Sequence, residues 1–176
     1  MKEKNIILIG FMGAGKSSVG SKLAEELDFD FMDTDKEIEC MMQMDIPSIF
    51  RQYGESYFRS AETALLKRLA SKQRTVISTG GGAPALEKNW QTLNQLGLVV
   101  YLYVTLDTAM QRTGGKNRPL LQQSRSQLES LWQKRQLTYQ RAKYTVDTEA
   151  KSIEAVTKGI LDFIELEGIK FTKNKL

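Results

Sequence analysis

The sequence predicts an α/β fold with three layers, in which a five-stranded, mostly parallel sheet is flanked by helices. Two observations predict it. Short, continuously apolar segments recur along the chain, as is typical of strands covered on both faces, and amphipathic segments with helical spacing alternate with them. Strands that alternate with helices pair in parallel, because each helix carries the chain back before the next strand begins. With 176 residues and no linker-like segment, we expect a single domain over residues 1–176.

The apolar segments place the strands and helices in chain order. The predicted strands are Asn5–Ile9, Phe29–Met32, Thr75–Ser78, Leu98–Val104 and Tyr144–Val146. The predicted helices are Lys16–Leu27, Asp35–Met44, Glu55–Ala70 and Ile153–Leu166. The polar stretch Thr113–Ser126, with two glycines and a proline, predicts a mobile loop, and we expect the polar tail from Lys170 to Leu176 to fray.

Composition excludes several classes of function. No segment reaches the roughly 20 apolar residues that a membrane-spanning helix needs, and the first apolar run is a buried strand rather than a signal peptide. Histidine is absent and Cys40 is the single cysteine, which argues against a Ser-His-Asp triad, a Cys-His pair and a zinc site. We expect a cytoplasmic protein in which Cys40 packs in the interior. The net charge of +4 with scattered arginines indicates neither a nucleic-acid nor a membrane partner.

A phosphate-binding loop follows the first strand. The residues Gly10-Phe11-Met12-Gly13-Ala14-Gly15-Lys16-Ser17 match the pattern G-x-x-x-x-G-K-[ST] and lie between a predicted strand and a predicted helix, as that pattern requires. Glycines allow backbone N–H groups to surround a phosphate, and the helix N-terminus adds positive potential. We therefore predict an ATP site formed by Gly13, Ala14, Gly15, Lys16, Ser17 and Ser18. Lys16 reaches the β- and γ-phosphates there and Ser17 binds Mg²⁺; a turn that only caps a helix would need neither residue.

Polar residues follow the second and third strands at the same edge of the sheet. Asp33 and Asp35 are candidates for holding Mg²⁺ through water and for accepting a proton from an acceptor hydroxyl. The alternative is that Asp33 or Thr34 only caps the next helix. The glycines 80–82 allow backbone amides to approach a γ-phosphate or an acceptor closely, or else form a flexible turn before Pro84.

Three arginines far apart in the sequence lie in segments that can converge on this edge. They are Arg59, Arg118 and Arg135. A guanidinium group forms a planar fork that matches a carboxylate or a phosphate, so their convergence would indicate an anionic acceptor. From spacing alone, a solvated or ion-paired surface position is favoured for each of them.

Taken together, these residues resemble the shikimate kinase family over roughly residues 5–148. The resemblance depends on an ordered set of motifs, which is far more specific than a phosphate loop alone. The set comprises Gly10 to Ser17, Asp33-x-Asp35, Phe58-Arg59, Gly80-Gly81-Gly82, Arg118-Pro119-Leu120-Leu121 and Arg135-x-x-x-Tyr139.

The resemblance implies a fold, a reaction and two functional regions. The fold is like that of nucleoside-monophosphate kinases, and the reaction transfers the γ-phosphoryl group of MgATP to the 3-hydroxyl of shikimate, in chorismate and aromatic amino acid biosynthesis. The implied substrate-binding region is about residues 34–61, and the implied lid is about residues 112–124, with Gly114 and Gly115 as hinges. The family also suggests a monomer.

The resemblance further implies a role for individual residues. Asp35 binds the ring hydroxyls and is the candidate base, and Asp33 holds Mg²⁺ through water. Arg59, oriented by Glu62, and Arg135 bind the shikimate carboxylate. The remaining implied contacts are Gly81 and Gly82 with shikimate or the γ-phosphate, Phe50 and Phe58 with the ring, Arg118 with the transferring phosphoryl group and Arg112 with adenine.

Two alternatives stay open from the residues themselves. A gluconate kinase or a nucleoside-monophosphate kinase has the same fold, and gluconate is also a hydroxylated carboxylic acid. A non-catalytic ATP-binding module would bind ATP without turnover. The third strand ends without an acidic residue, so Mg²⁺ depends on Ser17 and Asp33, and the segment after Thr148 has no clear adenine-binding motif.

Overall fold

The computed structural model describes residues 2–113 and 124–171 of the chain. Its strands alternate with helices from the N-terminus to the C-terminus, which confirms the predicted α/β class. The strands are β1 (Lys2–Glu3), β2 (Asn5–Ile9), β3 (Asp30–Asp33), β4 (Thr75–Ser78), β5 (Gly97–Tyr103), β6 (Tyr144–Asp147) and β7 (Lys170–Phe171). The helices are α1 (Lys16–Leu27), α2 (Thr34–Met42), α3 (Ile46–Arg68), α4 (Trp90–Leu96), α5 (Leu106–Thr113), α6 (Arg125–Tyr139) and α7 (Ile153–Leu166).

Five of the strands form one parallel sheet in the order β3-β4-β2-β5-β6. The connection from β2 to β3 runs in one direction across the sheet, and every later connection runs in the other. Because parallel crossovers are right-handed, α1 lies on one face and α2 to α6 lie on the other. Contacts agree with this arrangement, since α1 packs with α7 and α3 packs with α4. The result is the expected three-layer architecture.

The central strand β2 explains why the sheet is parallel and covered on both faces. All five of its residues are fully buried, as its uninterrupted apolar run predicts. Its first residue, Asn5, uses its side chain to connect neighbouring segments: it donates to the carbonyls of Lys72 and Leu96 and accepts from the N–H of Thr75. A buried amide with its partners satisfied stabilises the register of the three central strands.

The third helix begins earlier than its predicted first residue, Glu55. It runs from Ile46, and Gly54 interrupts its helical conformation with φ 81°. Asp45 caps the helix by accepting from the N–H of Ser48 at 2.8 Å, and Pro47 lies in its first turn. This start signal is present in the sequence. The helix start was nevertheless not predicted, because Gly54, with its positive φ, separates the two halves of the apolar pattern.

Other predictions of local structure were wrong. Lys170 and Phe171 do not fray but pair in parallel with β1, which adds a two-stranded sheet to the fold. Cys40 does not pack in the interior and is exposed, because it lies on the outer face of α2. In the expected loop Thr113–Ser126, Thr113 ends α5 and residues 125 and 126 begin α6, while residues 114–123 lie outside the described part of the chain.

Candidate active site

The carboxyl ends of the five parallel strands meet at one edge of the sheet, and the predicted polar residues follow these ends. The phosphate loop follows β2, Asp33 ends β3, and the glycines 80–82 follow β4. Thr148 follows β6 in the same way. In open α/β sheets this edge is where ligands bind. Parallel pairing therefore brings together residues that are more than 130 positions apart.

The phosphate loop has the conformation that its glycines predict. Gly13 and Gly15 have φ values of 76° and 85°, which are strained for other residues. A Cβ on Gly13 would lie 2.7 Å from the carbonyl oxygen of Ala109, so α5 also requires glycine there. No side chain in the described ranges caps α1, whereas Asp33 and Ser152 cap the N-termini of α2 and α7. The first amides of α1 thus face the loop, which suits an anion.

Lys16 and Ser17 extend from this loop in different directions. The Lys16 ammonium donates to the carbonyls of Gly10 at 2.9 Å and Phe11 at 3.0 Å, which holds the charge over the loop. The Ser17 hydroxyl donates to Oδ2 of Asp33 at 2.5 Å. Oδ1 of the same carboxylate accepts from the N–H groups of Asp35 and Lys36. Asp33 therefore caps α2, as one alternative predicts, and also reaches the phosphate loop, while its role toward Mg²⁺ stays a prediction.

The side chains of Ser17 and Asp33 suit a magnesium ion whose other ligands are phosphate oxygens and water. Both donors are oxygen atoms, which a hard divalent cation prefers. Among the described residues, no group of three or more Asp, Glu, His or Cys side chains is close enough to hold a metal. Mg²⁺ in kinases takes few protein ligands and completes its shell with phosphate and water, so one hydroxyl and one carboxylate suffice.

A cleft of about 360 Å³ adjoins the phosphate loop, within the usual range for small-molecule sites. Arg112 lines it and is fixed in place: its guanidinium donates to the side chain and the carbonyl of Thr148, at 3.0 and 2.7 Å, and to the carbonyl of Gly13 at 3.3 Å. The lining also includes residues that the sequence analysis did not assign. These are Val19, Thr113, Thr148, Lys151, Ser152, Ile153 and Val156.

A signal for these cleft residues exists in the sequence. Five of them, from Thr148 to Val156, lie between the end of β6 and the first turn of α7, which is the position that the phosphate loop occupies after β2. Glu149, in the same segment, accepts from the N–H of Thr105 and the hydroxyl of Thr108, both at 2.7 Å, and so holds the start of α5 beside the cleft. These hydrogen bonds lower the pKa of the Glu149 carboxyl, the largest effect coming from the Thr105 amide.

A second cluster of charged side chains surrounds the three glycines after β4. A Cβ on Gly80 would overlap Oδ1 of Asp35 and lie 2.6 Å from Oε1 of Glu62. On Gly82 it would overlap the guanidinium group of Arg59. Side chains from α2 and α3 thus approach Gly80 and Gly82 so closely that a Cβ at either position would displace them. We call the residues Asp35, Arg59, Glu62, Gly80–Gly82, Arg135 and Tyr139 the acceptor cluster.

The middle glycine connects the acceptor cluster with the phosphate loop. A Cβ on Gly81 would lie 3.2 Å from Nη1 of Arg135, 3.4 Å from the hydroxyl of Tyr139 and 3.3 Å from the carbonyl oxygen of Gly10. Gly10 opens the phosphate loop, so the two groups of residues share a boundary. Tyr139 belongs to the motif Arg135-x-x-x-Tyr139, which by itself indicates no role for the tyrosine.

Arg59 and Glu62 form the most buried ion pair of the cluster. Their side chains are 2.6 Å apart at the nearest atoms, and Glu62 is 1% exposed. Burial raises the pKa of Glu62 to about 7; Arg59 opposes this rise and the neighbouring Asp35 adds to it. The pKa of Arg59 also rises, because its two carboxylate partners, Glu62 and Glu55, outweigh the opposite effect of burial. This geometry agrees with the expectation that Glu62 orients Arg59.

Arg135 is buried without a carboxylate partner in the described ranges. Arg135 is 7% exposed, and its guanidinium carbon lies 5.6 Å from the ring centroid of Phe11. Its Nε has no hydrogen-bond partner among the described residues. A buried cation needs a counter-charge. Glu62 is near enough for Arg135 to lower its pKa and so supplies part of this charge, and an anionic ligand bound in the acceptor cluster would supply the rest.

Phe50 and Phe58 adjoin the acceptor cluster from α3. Their ring centroids are 5.0 Å apart, and the guanidinium of Arg59 lies 5.5 Å from the Phe58 ring. Phe58 is buried and Phe50 is partly exposed. Arg118, Gly114 and Gly115, which were assigned to the transferring phosphoryl group and to lid hinges, lie outside the described residues.

The fold and the site together define a class of protein. A phosphate loop after the central strand of a five-stranded parallel sheet, with a cluster of side chains beside it, is typical of P-loop kinases that act on small acceptors. Deoxyadenosine kinase from M. mycoides with bound dATP shares this fold at a TM-score of 0.64 and 17% identity, covering 92% of this chain and 99% of that chain.

Comparison with known proteins narrows the class. The family model for shikimate kinase matches residues 12–165. Shikimate kinase from Thioalkalivibrio sulfidiphilus is 47% identical over 89% of this chain and 84% of its own length. Shikimate kinase from Persephonella marina is 42% identical over 90% and 97%. The solved structure of shikimate kinase from Acinetobacter baumannii in complex with shikimate has a TM-score of 0.90 and 41% identity, covering 96% of both chains.

The chain belongs to the shikimate kinase family and is an ATP-dependent kinase with a hydroxyl acceptor. This result confirms the resemblance that the sequence motifs indicated. It decides against the gluconate kinase, the nucleoside-monophosphate kinase and the non-catalytic module. None of the helices in the described ranges is long and apolar enough to cross a membrane.

Proposed function

We propose that this kinase transfers the γ-phosphoryl group of MgATP to the 3-hydroxyl of shikimate, giving shikimate 3-phosphate and ADP for chorismate and aromatic amino acid synthesis. One observation carries the proposal: the acceptor cluster holds two arginines and two carboxylates against three glycines, next to the first residue of the phosphate loop. A hydroxylated carboxylic acid matches this set, because arginines bind its carboxylate and an aspartate binds its hydroxyls.

The phosphate loop binds ATP and neutralises the charge of its phosphates. The amides of residues 13–18 and the Lys16 ammonium bind the phosphates of ATP, with Arg112 beside the base in the cleft. Ser17 and Asp33 would hold Mg²⁺, which neutralises phosphate charge when bound. In phosphoryl transfer the protein mainly aligns the reactants and stabilises charge on the equatorial oxygens. Lys16 does so here, together with Arg118.

The acceptor cluster has the task of orientation. Arg135, whose Nε has no hydrogen-bond partner among the described residues, takes the shikimate carboxylate together with Arg59, whose direction Glu62 sets. Gly81 and Gly82 offer backbone amides to shikimate or the γ-phosphate, and Phe50 and Phe58 contact the ring. Asp35 receives the proton that leaves the acceptor hydroxyl. Its position beside Glu62 keeps it inside the cluster rather than in open solvent.

The organisation of the chain follows from the same function. We propose a single domain over residues 1–176, with a substrate-binding region at about 34–61 and a lid at about 112–124 that excludes water during transfer. Of the lid, Arg112 and Thr113 lie on α5 and Ser124 caps α6. We also propose that the protein is cytoplasmic and acts as a monomer, without nucleic-acid or membrane partners.

The test is a direct assay of the acceptor. ADP release is measured with purified protein, ATP and Mg²⁺ in the presence of shikimate, gluconate, nucleoside monophosphates or no acceptor, and again with EDTA. We expect release that depends on both shikimate and Mg²⁺. Release with gluconate alone would reject the proposed substrate, and release that persists in EDTA would reject the metal. Sedimentation of the same sample tests whether the protein is a monomer.

A further inference from the structure

Helix α6 brings two side chains to the same glycine. Arg135 and Tyr139 are four residues apart, so they lie one turn from each other on one face of the helix. Arg135 approaches Gly81 with its guanidinium group, and Tyr139 donates a hydrogen bond from its hydroxyl to the Gly81 carbonyl oxygen at 2.6 Å. The arginine has a place in the proposed function. The tyrosine has none so far.

Packing against β5 holds the Tyr139 ring in position. The residue is fully buried, and its ring packs against Tyr101 of β5 with centroids 5.2 Å apart. A buried ring with a fixed partner has little freedom to rotate away, so its hydroxyl acts as a rigid support for the Gly81 carbonyl. The donor to the Gly81 carbonyl is thus a side-chain hydroxyl rather than a backbone amide. The glycines 80–82 are not part of a strand.

Holding the Gly81 carbonyl also determines the direction of the next N–H group. The carbonyl of Gly81 and the N–H of Gly82 belong to one planar peptide unit, and in a trans peptide they point in opposite directions. The described chain contains no cis peptide bond. Glycines have little preference of their own for one backbone conformation. The turn hydrogen bond from the Ala83 N–H to the Gly80 carbonyl, at 3.1 Å, spans this peptide unit but does not determine which way the unit faces, so an external contact decides its direction.

We propose that Tyr139 is a positioning residue for phosphoryl transfer, which holds the peptide unit between Gly81 and Gly82 so that the Gly82 N–H stays aimed at the acceptor or the γ-phosphate. This inference rests on the proposed function, which gives that amide its ligand. A second contact supports the same arrangement, because the Arg59 guanidinium occupies the space beside Gly82 and restricts it from the other side.

The tyrosine remains a donor at every pH used for an assay. Burial raises the pKa of Tyr139 to about 12, and the nearby Arg135 opposes this rise only in part. A neutral phenol donates to the carbonyl, whereas a phenolate would repel it. The support for the peptide unit therefore does not depend on pH near neutrality.

The experiment compares Tyr139→Phe with Tyr101→Phe. Tyr101 is a matched control: it is also buried, its ring touches Tyr139, and its hydroxyl donates to the side chain of Gln136 on the same helix. Each variant removes one buried hydroxyl and leaves one partner unsatisfied, so both lower stability. The variants differ at the site, since only Tyr139 contacts Gly81 and neighbours Arg135, and the Gly82 amide resonance separates these two contacts.

We expect Tyr139→Phe to lower kcat/KM for shikimate about tenfold, as the loss of one oriented contact does, with KM for ATP within about twofold of wild type. Tyr101→Phe should keep wild-type kinetics for both substrates. In ¹H–¹⁵N spectra without substrate, the Gly82 amide resonance should move or broaden in Tyr139→Phe and not in Tyr101→Phe.

The outcomes separate the two proposals. Equal kinetic losses in the two variants, or an unchanged Gly82 resonance in Tyr139→Phe, would show that Tyr139 only anchors α6, and the inference would be overturned. If the wild-type protein releases no ADP with shikimate, the proposed function fails instead. The Gly82 resonance still decides the inference in that case, because it requires no substrate.

Discussion

The phosphate loop and the acceptor cluster, the two halves of the site, consist of different kinds of chemical group. The phosphate loop consists of eight consecutive residues, and its contacts come mostly from backbone amides and carbonyls, with φ values that only glycine adopts easily. The acceptor cluster consists of side chains from α2, α3 and α6 that surround three glycines. One half is local in the sequence, and the other half is assembled by packing.

This difference has a physical consequence for specificity. Backbone amides bind any phosphate, since every residue type supplies the same group, so the loop suits a ligand common to many enzymes. Side chains differ in charge and shape, and buried ones hold fixed positions, so they can select one acceptor. We therefore expect changes in the loop to affect turnover with every acceptor and changes in the cluster to affect shikimate selectively.

The largest effect is expected from the loop. Lys16→Met removes the charge that is held over the phosphates and should lower kcat by about 10²-fold or more, as the loss of a transition-state charge contact does. Steady-state ADP release at saturating shikimate measures it. Lys22→Met on the same helix is the control, because Lys22 forms ion pairs with the exposed Glu25 and Glu26. A kcat near wild type for Lys16→Met would contradict the role of the loop lysine.

The next effect concerns the buried arginine of the acceptor cluster. Arg135→Ala should weaken shikimate binding by roughly 2–3 kcal/mol, because it removes charged hydrogen bonds to the carboxylate. Calorimetric titration measures this loss, and ATP affinity should remain unchanged. Arg141→Ala is the control: Arg141 pairs with Glu87 and packs on Trp90, away from the cluster. Unchanged shikimate affinity in Arg135→Ala would place the carboxylate elsewhere.

A smaller selective effect is expected from one methyl group. In Gly82→Ala the new Cβ would occupy the space of the Arg59 guanidinium, so the arginine must move. We expect KM for shikimate to rise about tenfold, with KM for ATP unchanged, since one charged contact is weakened. In Gly159→Ala the Cβ would lie 3.7 Å from Val146, an ordinary contact, and this variant should behave as wild type. Equal KM values in both variants would refute the steric argument.

The smallest effect is on stability and depends on pH. The pKa of Glu62 is raised from 4.5 to about 7 in the folded chain, so the folded state holds this proton more tightly than the unfolded state does. The contribution to stability is therefore present at low pH and is lost as the pH rises from about 4.5 to about 7. Glu62→Gln has no such proton.

The comparison of Glu62→Gln with wild type measures this term. Between about pH 5 and pH 8, the stability of the variant relative to wild type should increase by on the order of 1–3 kcal/mol. Urea unfolding at both pH values measures it. A difference that stays constant or decreases with pH would show that the paired arginine, rather than burial, controls this carboxyl.

The two halves of the site were also unequally predictable. Every residue of the phosphate loop follows from one short pattern in its strand–helix context, and the strand β2 and the helices α1 and α7 have their predicted bounds. The residues of the acceptor cluster were assigned through resemblance to a family, because spacing alone did not separate Arg59 and Arg135 from surface arginines. The cleft residues 148–156 were missed, since their signal is a position after a predicted strand rather than a motif of residue types.

The sequence by itself determined the class of fold, the phosphate loop and the identity of the family, because these depend on local backbone preferences and on ordered motifs. Only the tertiary structure decided that Glu62 is buried beside Asp35, that the Arg59 guanidinium occupies the space beside Gly82, and that Tyr139 holds the Gly81 carbonyl. The reason is physical. Burial and close approach depend on which strand lies next to which, and strand order is a property of the packed chain rather than of any segment.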